Sequence, residues 1–189
     1  MLKDLVTQCR SYRRFFQDVE IPMDALRDMA DNARLTASAA NAQALKFKLI
    51  NTPAECAAVF PCLRWAAALS DWDGPVEGER PSAYIVIACD LSLGKNKQWD
   101  DGIAAQTIML SAVEKGYGGC MIGNVNRSQL AQVLNLDPES YSIDLVLALG
   151  KPREQVAIAP LNPDGSTTYY RDENQVHHVP KRSLEDILL

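Results

Sequence analysis

The sequence predicts a single α+β domain in which a mixed sheet is flanked by helices, and three observations predict it. Helical and strand-like hydrophobic periodicities interleave along the chain without a strict βαβ repeat. The 189 residues fit one domain, and a globule near that size buries roughly 70% of the surface its unfolded chain exposes. With 47% hydrophobic and 23% charged residues, the composition is that of an ordinary globular protein.

The elements follow in order. Residues 22–35 place Leu26, Met29, Ala30 and Ala33 at i, i+3, i+4 and i+7, the buried face of a helix. Residues 46–50 alternate instead, as a strand does, and Thr52, Pro53 and Glu55 then form a capping box with proline at the first helical position. Residues 82–89 are β-branched, aromatic and apolar throughout, the pattern of a strand buried on both faces. Residues 101–115 carry Ile103, Ala104, Ile108 and Ala112 with few charges and predict a central helix. Gly116, Gly118 and Gly119 lead into a short apolar segment, 120–122, and Asn126 with Gln129 opens another helix. Residues 143–149 predict a last buried strand, and 183–189 a short terminal helix.

Two stretches stand outside this pattern. Residues 71–81, rich in glycine, proline and acids, predict an exposed loop of the type that carries function. Beyond Pro152 the chain turns polar and proline-rich, so 153–189 is expected to be an arm that lies against something larger.

Charge and composition exclude several functions. A net charge of -5 and a pI near 5.0 lack the basic footprint of a duplex-binding domain, so no nucleic acid is expected. The longest aliphatic run is far shorter than the roughly 20 residues of a membrane span. Five cysteines without CxxC spacing, and a start interrupted by Lys3 and Asp4, predict reduced thiols in a cytoplasmic protein without a cleavable signal. His177 and His178, the two histidines, point to opposite faces if they lie on a strand, which argues against a metal site and for a packing role. Trp65, Trp72 and Trp99 read as packing residues, with Trp72 the one suited to a substrate platform. No nucleophile elbow, P-loop or GxGxxG turn is present, so if the chain is an enzyme a bound cofactor carries the chemistry.

Two segments offer a place for one. Arg10, Ser11, Arg13 and Arg14 set guanidiniums around a hydroxyl, which reads either as an oxyanion site or as a solvated basic face. The 38–43 segment offers small and amide side chains, which suit the approach of a flat ligand or form a plain loop.

Taken together, these segments resemble the nitroreductase family. Its Arg-Ser-x-Arg-x-Phe signature is met by Arg10, Ser11, Arg13 and Phe15, and its Pro-Ser-x-x-Asn-x-Gln-Pro segment looks like Ala37, Ser38, Asn41, Gln43 and Ala44. Its Asp-x-Gly-x-Ala-x-Gln helix is similar to residues 100–106, its glycine-led turn to 116–123, and its Gly-x-Pro strand end to Gly150 and Pro152. A C-terminal basic pair resembles Lys181 and Arg182. The departures are Cys9, where the family often has another arginine, and Ala37 and Ala44 in place of prolines.

The resemblance implies an intertwined homodimer with two FMN sites at the subunit interface. Arg10 and Arg182 would hold the FMN phosphate with Ser11 and Lys181, Arg13 would face the N1/O2 edge of the ring, and Ser38 and Asn41 would come from the other subunit. The backbone of Met121, Ile122 and Gly123 would line the N5 side. No catalytic side chain and no metal are implied. Hydride would pass from NADH or NADPH through FMN to a small acceptor such as a nitroaromatic or a quinone, in ping-pong fashion. The alternatives are a flavin-binding protein for storage or sensing, and a flavoenzyme of other chemistry, such as reductive dehalogenation or flavin fragmentation. Cys120, in the glycine-led turn, reads as a small buried hydrophobe ahead of a redox partner.

Overall fold

The computed structural model describes residues 1–66, 69, 72–94 and 99–189. In chain order its elements are α1 (Leu2–Gln8), β1 (Phe15–Phe16), α2 (Met23–Arg34), β2 (Leu45–Ile50), α3 (Pro53–Val59), β3 (Ala83–Asp90), α4 (Asp100–Glu114), β4 (Gly118–Ile122), α5 (Arg127–Leu134), β5 (Tyr141–Pro152), β6 (Val156–Ala159), β7 (Tyr170–Arg171) and β8 (His177–Pro180). The predicted helices and strands form within a residue or two of the ends expected for them, except that β5 runs longer and the terminal helix at 183–189 does not form. The predicted caps are also made: Thr52 and Asn126 accept hydrogen bonds from the backbone of Glu55 and Gln129.

The long strand β5 organises the main sheet. It pairs antiparallel with β3 along one edge and with β4 and then β1 along the other, while β2 closes the far side of β3. Alternation on β3 sends Ile85 and Ile87 into the core under α2 and α4, and Tyr84 and Val86 into the core under α3 and α5. Both cores are fully buried at their centres, at roughly 1.5–3 kcal/mol for each large apolar side chain removed from water. These two helical layers around one sheet are the α+β architecture expected, and they hold β4 at an edge where a segment can lie beside it.

Three parts were less legible. α1 gave no signal, and it buries no residue. The 153–189 segment folds in part on its own chain, because β6 and β7 flank β8 in a second sheet, β6 parallel and β7 antiparallel to it. The predicted terminal helix at 183–189 is a correction: only Glu185–Ile187 forms a 3-10 turn, with Leu184, Ile187 and Leu188 all exposed. So short a helix needs an apolar face to pack against, and this one has none within the chain. The 71–81 loop is irregular from Trp72 onward, while Asp71 lies outside the described residues.

Candidate functional site

The 10–16 segment is seated on the edge of the sheet by glycines. The N–H of Tyr12 donates to the carbonyl of Gly119 at 2.9 Å, and Ser11 bridges the same glycine. A side-chain carbon at Gly118 would sit 2.6 Å from the Tyr12 ring, and one at Gly150 would sit 2.8 Å from Phe15. Only glycine permits this approach. Glu154, just beyond β5, completes the seat: its carboxylate accepts from the backbone N–H groups of Arg13 and Arg14, and from the Arg171 guanidinium at 3.0 Å. That side chain is 3% exposed, so it is a buried charge satisfied by three donors.

Within this seat the arginines differ. Arg10 donates from Nη2 to the Val6 carbonyl at 2.7 Å, while its Nε is buried without a partner among the described residues. Arg13 reaches toward the second sheet, with Nη1 3.3 Å from both the Ser11 carbonyl and His177 Nε2, and its guanidinium 5.0 Å from the centre of the Tyr169 ring. Arg14 turns away to Glu79 at 3.1 Å. Cys9, where the family often has arginine, accepts from Gln106 Nε2 at 3.6 Å and so ties the end of α1 to α4.

The edge of β4 faces the same place. Because the Gly119 carbonyl turns outward to Tyr12, antiparallel alternation turns the peptide groups of Met121 outward as well, away from β5. The side chain of Ile122 is buried and that of Met121 is partly exposed, while Gly123 is exposed. Cys120 is buried, and burial pushes its thiol pKa up despite the lowering influence of nearby Arg13. It is the small buried hydrophobe expected, with little thiolate to react.

The 38–43 segment is anchored elsewhere, at the start of α4. The Ser38 hydroxyl donates to Asp100 at 2.6 Å, the Ala39 N–H donates to the same carboxylate at 2.9 Å, and Gln43 N–H donates to Ser38 Oγ at 2.9 Å. Ala40, Asn41 and Gln43 all adopt left-handed backbone, with φ of 52°, 53° and 52°. Such conformations in residues other than glycine cost on the order of 1 kcal/mol or more each and persist where the surroundings impose them. Asn41 stands exposed on this loop. Lys181 and Arg182, just past β8, are exposed too, with the Lys181 N–H donating to Ala159 at 2.9 Å.

The single chain therefore seats the 10–13 segment beside β4, whose edge continues into 121–123, and ties the loop that carries Ser38 and Asn41 to the start of α4. Sequence reasoning missed Glu154, His177 and Tyr169 as supports of the arginines, and Asp100 as the anchor of the 38–43 loop. Asp100 lay within a motif already noted, whereas Glu154 carried no local signal. The histidines do lie on a strand and do part: His177 is buried against Tyr169, and His178 stacks on Tyr170 and bonds Asp172 at 3.0 Å. Among the tryptophans, Trp65 is buried as expected and Trp72 is covered by Arg171 at 4.7 Å. Trp99 departs from its packing role, being 76% exposed at the start of α4, where the helix presents Ile103 beside it. All five cysteines are free thiols, and among the described residues no helix is long and apolar enough to cross a membrane.

Comparison with known proteins finds relatives of this fold. Residues 92–151 match the model of the nitroreductase family. No curated protein sequence matches the chain. Among solved structures, a protein of Desulfovibrio desulfuricans described as a nitroreductase, in complex with FMN, aligns over 100% of this chain and 95% of its own at 22% identity and a TM-score of 0.70. An FMN-dependent nitroreductase of Clostridium difficile aligns over 90% of this chain and 98% of its own, at 23% identity and a TM-score of 0.66. A protein of Staphylococcus epidermidis described as an NAD(P)H:FMN oxidoreductase aligns over 100% and 95%, at 14% identity and a TM-score of 0.70. At these identities the likeness is one of fold.

Proposed function

We propose that this chain, a nitroreductase-family protein by its matched segment and its fold, is a cytoplasmic FMN-dependent oxidoreductase that passes hydride from NADH or NADPH to a small acceptor such as a nitroaromatic or a quinone. The observation that carries this reading is the seating of the 10–13 motif against the outward peptide edge of β4. There Arg10 Nε, a buried guanidinium nitrogen without a partner among the described residues, belongs to the segment that pairs with β4, whose Met121 peptide groups turn outward. A flavin phosphate fits the first and a ring edge fits the second.

In this reading Arg10 and Arg182, with Ser11 and Lys181, bind the phosphate. Arg13, braced by His177 and Tyr169, holds fixed positive charge beside the N1/O2 edge, where a preorganised guanidinium stabilises negative charge without reorganising. The backbone of Met121, Ile122 and Gly123 lines the N5 side. Ser38 and Asn41 are contributed by the other subunit of a homodimer, as the family resemblance implies. FMN supplies the hydride chemistry, so no side chain serves as nucleophile.

The test is a titration of the purified protein with FMN, followed by anaerobic addition of NADH or NADPH and then of a quinone. The proposal expects a bound flavin spectrum, its bleaching, and its return. Bleaching that a panel of quinones and nitroaromatics does not reverse would replace turnover with a binding role.

A further inference from the structure

A cavity that shares no residue with the site above lies at the start of β3. It encloses about 260 Å³ between the 17–20 segment, α3 and residues 77–82. Its inner end is formed by Tyr84, which is fully buried, and by Ser82. Among the described residues neither hydroxyl has a hydrogen-bond partner, and the same is true of Arg80 Nε on the cavity wall. A buried polar group left in that state is costly, because it has given up its hydrogen bonds to water and gained none in return. Three of them on one cavity, all able to donate, ask for an acceptor.

Their neighbours are already satisfied. Arg80 pairs through Nη1 with Glu77 at 2.7 Å, and its guanidinium lies 4.3 Å from the centre of the Phe60 ring. The Cys56 thiol donates to the Ser82 carbonyl at 3.4 Å, and burial pushes its pKa up to about 11, so it stays protonated. Burial raises the Tyr84 phenol likewise, keeping it a donor. The mouth has the opposite character, because Asp18 and Glu20 line it as exposed carboxylates. A simple anion would meet these acids on entry, whereas a molecule with a donor at its outer end would be held by them.

We propose that this cavity binds a small molecule with a carbonyl or carboxylate oxygen at one end and an amine or amide N–H at the other. The oxygen is taken by the Tyr84 and Ser82 hydroxyls and Arg80 Nε, and the N–H group by Asp18 and Glu20. This is the chemistry shared by amino acids and small carboxamides, and the volume, below the usual range for drug-sized ligands, suits molecules of that size.

The experiment is an amide NMR titration of the full chain with L-alanine and with acetamide, and with acetate and methylammonium as controls that carry only one of the two ends. Saturable shifts confined to residues around the cavity are expected with L-alanine or acetamide, and which one saturates first tells the two sources apart. Both controls should bind at least tenfold more weakly. Tyr84→Phe should weaken binding at least tenfold, and Ala57→Leu, which fills the cavity from the exposed face of α3, should abolish it, each with the remaining spectrum intact. No cavity shift with any probe, or an unchanged titration in Tyr84→Phe, would mean that water alone satisfies these groups and would overturn the proposal.

Discussion

Arg10 and Arg13 lie three residues apart in one motif, yet the structure surrounds them differently, and their loss should be felt differently. Arg10 has a buried nitrogen without a partner among the described residues, and in our reading it binds an anion present in both oxidation states of the flavin. Arg10→Ala should therefore weaken FMN binding about equally for oxidised and reduced cofactor, by roughly tenfold or more for a charged hydrogen bond worth about 1.5–3 kcal/mol. Arg13, braced by His177 and Tyr169, meets charge that appears only on reduction. Arg13→Ala should lower the midpoint potential at saturating FMN, and potentiometric titration of the two variants separates the roles. An unchanged potential in Arg13→Ala would make it a structural residue. His177 itself offers a test by pH. Burial, with Arg13 and Arg171 adding positive charge, pulls its pKa down from 6.5 to about 4. The unfolded chain takes up that proton near pH 6.5 while the folded chain resists until about 4, so stability falls as pH drops through this window and levels below it. Urea midpoints measured from pH 7 downward should fall less steeply for His177→Gln than for the parent, and parallel slopes would contradict the assignment.

The elements show how far sequence alone carried. Binary patterning found α2, β2, β3, α4 and β5, because each sets a periodic face or a continuous run against the two cores, and capping boxes found the starts of α3 and α5. It missed α1, which buries nothing, and it predicted a helix at the C-terminus whose apolar residues remain exposed. Of the candidate site, the sequence offered Arg10, Ser11, Arg13 and the glycine-led turn, which the fold sets side by side through the Ser11 and Tyr12 contacts with Gly119. The site was not legible at Glu154 or Asp100, since a carboxylate that satisfies backbone donors from a distant segment leaves no local pattern. The glycines are the element-scale test. A methyl group at Gly150 would approach Phe15 to 2.8 Å, and overpacking of this type costs about 1–3 kcal/mol. Gly150→Ala should therefore lower the melting temperature by about 2–12 °C for a domain of this size. It should also reduce FMN affinity, because the 10–13 motif loses its seat. Thermal melts with and without FMN check both effects, and full stability with full affinity would show that the close approach is dispensable.

For the whole molecule, Ser38 sits on a loop tied to the start of α4, while Cys9, next to Arg10, meets Gln106 on the same helix. In our reading the proposed site is completed by that loop from a second copy. The exposed Leu184, Ile187 and Leu188, together with Trp99 and Ile103 on α4, give such a copy apolar surface to cover, at up to roughly 1.5–3 kcal/mol for each large side chain fully buried. Sedimentation at low micromolar concentration should show a dimer, and removal of residues 183–189 should weaken it at least tenfold. A monomer that still holds FMN would contradict the shared site. The central claim, that FMN binds here and takes hydride from a nicotinamide, is reached most directly by one anaerobic experiment on the dimer loaded with FMN. The visible flavin band should disappear on addition of NADH or NADPH and reappear with a quinone. A protein that fails to bind FMN, or whose bound flavin neither nucleotide bleaches, would contradict the account.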